Sequence, residues 1–423
     1  MTVEKSPISR QREESAAAVK VLDRQETTCC IVGGGPGGAV LALLLARAGV
    51  SVLLLEAHED FDRDFRGDTI HPSVLEIMDE LGLASRLLKM RHTEIQQLTF
   101  STASGPVTIA DFHRLKTRFP FIMLLPQARF LEFITGAARR YESFQLVMGA
   151  SAQELIIEQD VVRGVRYRSD RGWHEVRALL TVGADGRSSR VRRMAGFEPI
   201  KTSPPMDVIW FRLPRKPEDP EGVFARVGAG HLLIRLDRTD EWQLGYVIPK
   251  GGWQRVHEAG LAELRKAIAE VLPEFPERVE HLQDWKQIAV LSVESSRCPR
   301  WYRPGLLLIG DAAHVMSPVG GVGINYAIQD AVAAANVLNA PLKSGHLETD
   351  DLAKVQSERE WPTRFIQSLQ AVVQRRIIAG ALDANKPFNF PLVLRLMLRI
   401  PILRDLPARI IAFGIRPEHL KSS

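Results

Sequence analysis

The sequence predicts an α/β fold. A parallel sheet wound with helices is interrupted by a second, mainly antiparallel β-sheet and followed by a helical C-terminal region. Three observations carry this. Residues 28–56 read strand, glycine turn, helix, strand, the pattern of a βαβ unit. Residues 145–185 and 200–285 alternate short strand-like pieces with turns and proline-rich breaks. Beyond residue 324 helix formers dominate.

The chain has 423 residues, too many for one core, and its 45% hydrophobic and 25% charged composition is that of a globular protein. Net charge is +5, with Lys and Arg scattered and not gathered in a stripe, so no nucleic-acid partner is expected. The mild excess suits anionic small molecules or a membrane surface. Cys29, Cys30 and Cys298 have no metal or redox spacing, so no metal site is expected. A cysteine-poor chain suits a reducing compartment. The polar N-terminus lacks the apolar core of a signal peptide, and no uncharged apolar run reaches about 18 residues. A soluble, cytoplasmic protein is the expectation.

In chain order, residues 1–26 carry mixed charge with little to bury and read as a disordered tail. TCCIV (28–32) is a short apolar strand, AVLALLLARAG (39–49) a helix ending on a glycine cap, and SVLLLE (51–56) a second buried strand. From QLVMGA onward, residues 145–185 suggest antiparallel hairpins. One helix is expected near 259–272, and LLLIG (306–310) reads as another buried parallel strand. These readings divide the chain into a first domain of 27–95, 122–199 and 286–345, a second of 96–121 and 200–285, and a helical region of 346–423.

Three motifs carry chemistry. In the first, Gly33, Gly35 and Gly38 stand as GxGxxG between strand and helix, with Pro36 and Gly37 inside the turn. The first glycine permits the tight turn, the second lets a pyrophosphate approach the backbone, and the third lets helix and strand pack. The helix N-terminus offers free N–H groups and partial positive charge to phosphates. Glu56, followed by Ala57, ends the second strand where an acid can bind ribose hydroxyls. Together these point to a dinucleotide, without separating NAD from FAD. The second motif, GADGRSSRVRR (183–193), contains Asp185 and read alone is a turn with a helix cap. The third is GDAAHVMSPVGGVGINYAIQDA (310–331). Asp311 follows a strand, where a carboxylate can bind a sugar alcohol. Pro318, Gly320, Gly321 and Gly323 clear side chains for a flat ligand, and a helix starting near Ile324 aims its N-terminus there.

In this order the three motifs resemble the class A FAD-dependent monooxygenases related to para-hydroxybenzoate hydroxylase and the ubiquinone-biosynthesis hydroxylases. The resemblance covers about residues 28–340 and implies a Rossmann-like FAD-binding domain with a substrate domain inserted in it. It implies that Gly33, Gly35 and Gly38 hold the ADP pyrophosphate, Glu56 the adenosine ribose, and Gly310–Asp311 the ribityl chain. Gly321 to Asn325, with Gly323 and Ile324, would line the flavin ring, and Asp185 would lie in a motif shared by FAD and the nicotinamide cofactor. Arg66 and Gln127 match positions that touch flavin. NADPH or NADH would bind transiently across the same cleft. Arg187, Arg190, Arg192 and Arg193 are expected to form a solvated helix face.

The implied reaction is hydroxylation of an aromatic or otherwise electron-rich small molecule. The nicotinamide reduces FAD, O2 adds at flavin C4a, and the hydroperoxide delivers one oxygen atom. No catalytic acid or base is assigned. Asp68, His71 and His314 are expected to be structural, and His113 and Arg114 to lie on a surface loop. A geranylgeranyl-reductase-like flavoprotein acting on a lipid without oxygen shares the architecture. So does a flavin halogenase, although Leu244 and Tyr246 stand where its signature tryptophans belong. A prenyl-protein escort module is the non-enzyme alternative. The C-terminal segment 390–417 mixes Leu and Ile with Arg395, Arg399, Arg404 and Arg409. It reads either as a cover over the flavin domain or as a weak peripheral membrane contact.

Overall fold

The computed structural model describes residues 21–62, 67–102, 104–216, 218–219, 224–228, 230–238, 241–383, 388, 390–401 and 403–421. Its first strand is longer than the apolar run predicts. It spans Val21–Val32, so residues 21–26 belong to a sheet and not to a tail. The reason is the ladder beside it. Val21 to Val32 runs parallel to Gly172–Gly183, with Val32 opposite Gly183. In the polar half the carboxylate of Asp23 meets Nδ1 of His174 at 2.7 Å. Backbone pairing and polar contacts hold that half, which hydropathy alone does not flag.

The central sheet is ordered Tyr302–Arg303, Leu306–Leu308, Gly172–Gly183, Val21–Val32, Val52–Leu55, Phe144–Val147. Leu306–Leu308 is parallel to Gly172–Gly183, as its uninterrupted apolarity predicts for a strand buried on both faces, and antiparallel to Tyr302–Arg303. Phe144–Val147 is a correction. It pairs parallel with Val52–Leu55 and does not form a hairpin. The expected hairpins begin at Ser151–Glu158 and Val161–Ser169, which fold antiparallel onto Gly172–Gly183. Helix Pro36–Arg47 is buried almost throughout and shares one core with Gln127–Ala138 and Gly323–Ser344.

A second sheet of seven strands runs Ala289–Leu291, Met206–Pro214, Glu241–Pro249, His231–Asp237, Phe224–Gly228, Gln97–Thr102, Gly105–Asp111. Two expected boundaries move. Ala289–Leu291 joins this sheet against Val208–Trp210, although position 286 was the expected return to the first domain. Ile200–Thr202 instead pairs with Ser295–Arg297 in a small three-stranded sheet. The expected helix near 259–272 is Leu261–Val271, and a separate helix, Trp253–Ala259, precedes it across Gly260, whose φ of +94° suits glycine.

The faces of the second sheet alternate with period two. Ile209, Phe211, Leu244 and Tyr246 pack under helix Leu261–Val271. Val208, Trp210, Val227 and Val247 turn the other way, onto Val319 of the glycine loop and onto Ile378 and Leu382. This second face puts a largely apolar wall against the loop after Asp311.

Candidate active site

The glycine turn divides its labour among its residues. Gly33 has φ +109°, and a Cβ there would lie 2.4 Å from the Ala184 carbonyl oxygen. At Gly38 a Cβ would lie 2.0 Å from the Gly33 oxygen. Both are glycine because backbone packs against them. Gly35 differs, because a Cβ there would meet nothing of the described residues within 4 Å. Its φ of −68° is open to any residue, so packing within the protein does not demand glycine there. Gly35 caps helix Pro36–Arg47, and among the described residues no side chain accepts from the helix's first N–H groups. These donors and the open space stand together, as an anion site at a helix N-terminus requires. Gly37 packs against Ala327 of the third motif's helix.

Glu56 is 8% exposed and accepts from Gly34 N–H at 2.8 Å and His58 N–H at 3.1 Å. Its carboxylate is thus aimed back at the glycine turn, with Ala57 exposed beside it.

In the third motif the strand turns at Gly310, φ +58°, where a Cβ would lie 2.9 Å from that of Ala327. A 3-10 turn, Gly310–Ala312, presents Asp311 half-buried. Pro318 opens a second such turn, and Gly320 and Gly321 follow at φ +81° and +64°. The helix Gly323–Ser344 starts on Val322 with no side-chain cap. Asn325 fastens this loop to residues 69–71. Its Oδ1 accepts from His71 N–H at 2.9 Å, and its Nδ2 donates to the carbonyls of Thr69 and Gly321 at 3.3 Å. Thr69 Oγ1 donates to the Gly321 carbonyl at 2.9 Å. Gly67 lies against the Ile324 side chain.

Gln127 comes to the same place, its N–H donating to the Asp68 carboxylate at 3.3 Å. Arg66 lies outside the described residues. Asp68 is buried and ion-paired with Arg238 of the second sheet. Burial pushes its carboxyl pKa up against the opposing pull of that guanidinium. His71 is fully buried, its Nδ1 at 2.7 Å from the Ile411 carbonyl, and burial lowers its pKa to about 4. His113 and Arg114 lie at the surface beside Asp111.

Asp185 is occupied as a helix cap. Its Oδ1 accepts from Ser189 Oγ at 2.5 Å, and its Oδ2 from the N–H groups of Arg190 and Val191 at 2.7 and 3.0 Å. The arginines that follow are not all solvated, which corrects the expectation for Arg192. Arg192 is 7% exposed and donates to the carbonyls of Ala312 at 3.0 Å and Arg187 at 2.7 Å. The second motif therefore buttresses the turn that carries Asp311. Isolated spacing does not reveal this, because the Ala312 carbonyl is 120 residues away.

Sequence reasoning also missed Asp330, although a lone charge in an alanine-rich helix was a visible signal. Asp330 is 0% exposed. Its Oδ2 accepts from Gly310 N–H at 3.0 Å and lies 2.6 Å from His314 Nε2; its Oδ1 accepts from Arg359 Nε at 3.0 Å. Arg359 continues to Glu418 at 3.6 Å. This buried network fixes the Gly310 turn against two helices and the C-terminal strap, and it makes His314 a structural residue.

Residues 26–362 match the model of a family described as FAD binding domain. The chain belongs to the FAD binding domain family. It is 33% identical over 386 residues to 6-methylpretetramide 4-monooxygenase of Streptomyces rimosus, covering 90% of this chain and 91% of that protein. It is 26% identical to para-nitrophenol 4-monooxygenase of Pseudomonas sp. strain WBC-3, covering 72% of this chain and 75% of that one. The fold matches OxyS anhydrotetracycline hydroxylase from Streptomyces rimosus with a TM-score of 0.73, at 24% identity over 93% of this chain and 77% of that one.

The protein is thus an FAD-dependent monooxygenase of the aromatic hydroxylase kind, with NAD(P)H as the reductant typical of the family. The residues present fit FAD on their own geometry. Among the described residues two helix N-termini lack side-chain caps, Gly35 leaves open space, and Glu56 and Asp311 supply carboxylates at strand ends. The expected small-molecule substrate and O2 fit this monooxygenase. Among the described residues no helix is long and apolar enough to cross a membrane, and no group of His, Cys, Asp or Glu could hold a metal ion.

Proposed function

We propose that this monooxygenase hydroxylates a fused-ring phenol, the substrate lying between the second sheet and the glycine loop. One observation carries the reading: the sheet face turned toward Val319 is largely apolar, and it holds a few buried polar atoms that have no hydrogen-bond partner among the described residues. Trp210 and Arg212 share that face and pair across the strands with Gly245 and Gln243. Gly245 leaves room for the indole of Trp210, since a Cβ there would lie 3.0 Å from its ring. Among the described residues the indole Nε1 of Trp210, Oε1 of Gln243 and Nε of Arg238 are buried with no hydrogen-bond partner. An unpaired buried donor or acceptor costs about 1–3 kcal/mol. A flat, polyoxygenated ring system that accepts from Trp210 and donates to Gln243 removes that cost. Sites of this kind, apolar with a few placed polar groups at a domain interface, suit small molecules.

The same proposal assigns the cofactor contacts. Gly33, Gly35, Pro36, Gly37 and Gly38 would hold the pyrophosphate, and Glu56 with Ala57 the adenosine ribose. Gly310 and Asp311 would hold the ribityl chain. Pro318, Gly321, Gly323, Ile324 and Asn325 would present backbone to the flavin ring, with Arg66 and Gln127 on its other flank. Asp185 would act through the helix it caps. FAD, when bound and reduced, supplies the activation of O2. The chain's own part is to orient the ring, keep water from the apolar wall, and place partial positive charge from helix Gly323–Ser344 where negative charge develops. A weak peripheral membrane contact through the C-terminus belongs to the same proposal.

The test is turnover with NADPH or NADH under labelled O2, comparing fused-ring phenols with single-ring phenols by product mass. Incorporation of one labelled oxygen atom into a fused-ring phenol, lost in the Gln243→Leu enzyme, is the expected result. Preference for single-ring phenols with no effect of Gln243 overturns the substrate reading.

A further inference from the structure

The C-terminal segment does not simply cover the flavin domain. Helix Leu406–Phe413 docks, with Ala408 and Ala412 buried beside Phe112 and Ile95. Upstream, Phe390 is buried and stands edge-on to Phe100 at 5.7 Å. Between these two anchors lies helix Leu392–Arg399, which has no buried residue. Leu392 is 68% exposed, Val393 78% and Leu396 49%, and Ile400, Leu403 and Leu406 continue the exposed apolar row. Within the helix Leu392 and Leu396 stand four residues apart on one face, and Ile400 follows as its extended C-cap. Arg395 and Arg399 each stand one residue before a member of that row, so they border it. Among the described residues neither has an ion-pair partner. Between Asp383 and Asp405 the sequence holds Lys386, Arg395, Arg399 and Arg404 and no acidic residue.

We infer that this face is a docking surface for an anionic lipid bilayer, the apolar row entering the acyl boundary and the arginines meeting lipid phosphates. The inference rests on the proposed peripheral contact and fixes its chemistry and its residues. A second copy of the chain is the poorer occupant, because a two-fold interface would set these unpaired arginines against their equals. An anionic surface takes both features together, burying the apolar row and neutralising its border. The helix is held at both ends, so the contact would leave the flavin domain in place and bring the enzyme beside apolar substrates partitioned in the bilayer.

The experiment is vesicle flotation of the FAD-loaded full-length enzyme, with phosphatidylcholine alone or mixed with phosphatidylglycerol. Binding to the mixed vesicles is expected, reversed by salt. The Arg395→Gln/Arg399→Gln enzyme should bind about 30-fold more weakly, and Val393→Glu/Leu396→Glu should not float. Both variants should keep the flavin content and NAD(P)H oxidation of the parent, showing that they fold. Equal flotation with both lipids overturns the anionic chemistry while leaving a contact. Flotation with neither overturns the contact itself.

Discussion

Gly35 and Gly38 sit three residues apart in one turn, yet alanine should act on them in opposite ways. At Gly38 the new Cβ would stand 2.0 Å from the Gly33 oxygen, a distance no real contact shows, so the turn itself must move. At Gly35 it would meet no atom of the described residues within 4 Å, on a φ of −68° that alanine adopts freely. The Gly35→Ala apoprotein should therefore be as stable as the parent or more so by about 0.4–1 kcal/mol, through a less free unfolded chain. If the FAD pyrophosphate lies against Gly35, the methyl group displaces it from the uncapped N–H groups. Losing one such charge-assisted hydrogen bond is worth about 1.5–3 kcal/mol, or roughly 10- to 150-fold in FAD affinity. The assay pairs FAD titration of the apoprotein, read by quenching of flavin fluorescence, with thermal melting of the same sample. Unchanged FAD affinity in Gly35→Ala would refute the placement of the pyrophosphate. A destabilised apoprotein would refute the claim that packing leaves this position open.

Other expectations are independent of that one. Asp330→Asn leaves Arg359 short of a buried counter-charge and should cost about 3–5 kcal/mol, roughly 4–6 °C for a chain of this length; melting within a degree of the parent would show the network to be incidental. Arg192→Met removes donors to the carbonyls of Arg187 and Ala312 and should weaken FAD about tenfold in the same titration, although Arg192 is not among the proposed FAD contacts. His71 gives a pH dependence. Its folded pKa of about 4 lies below the ordinary 6.5, so the unfolded chain binds the extra proton between those values. The His71 contribution is intact above about pH 6.5 and is lost as pH falls toward 4, by about 3 kcal/mol in all. Melting of His71→Gln should then fall less on acidification than the parent; parallel curves would refute the assignment.

What was legible in the sequence was local. GxGxxG with Glu56, the apolar runs 28–32, 51–56 and 306–310, and the glycines around Pro318 each report a constraint imposed within a few residues. Periodicity and backbone freedom record such constraints directly. The class A monooxygenase fold followed from their order along the chain. The tertiary structure decided whatever depends on a partner far away in sequence. It drew residues 21–26 into the central sheet through strand Gly172–Gly183, because a backbone ladder does not need apolar side chains. It turned Phe144–Val147 from a hairpin strand into a parallel one, since a four-residue strand carries no mark of its neighbour's direction. It buried Arg192 and Asp330 against the Gly310–Ala312 turn, where a carbonyl and a guanidinium from distant segments compensate their charge. It also left helix Leu392–Arg399 exposed between two docked anchors. Amphipathicity told of that helix's two faces, but only the packing around Phe390 and Ala408 decided that the apolar one would remain uncovered.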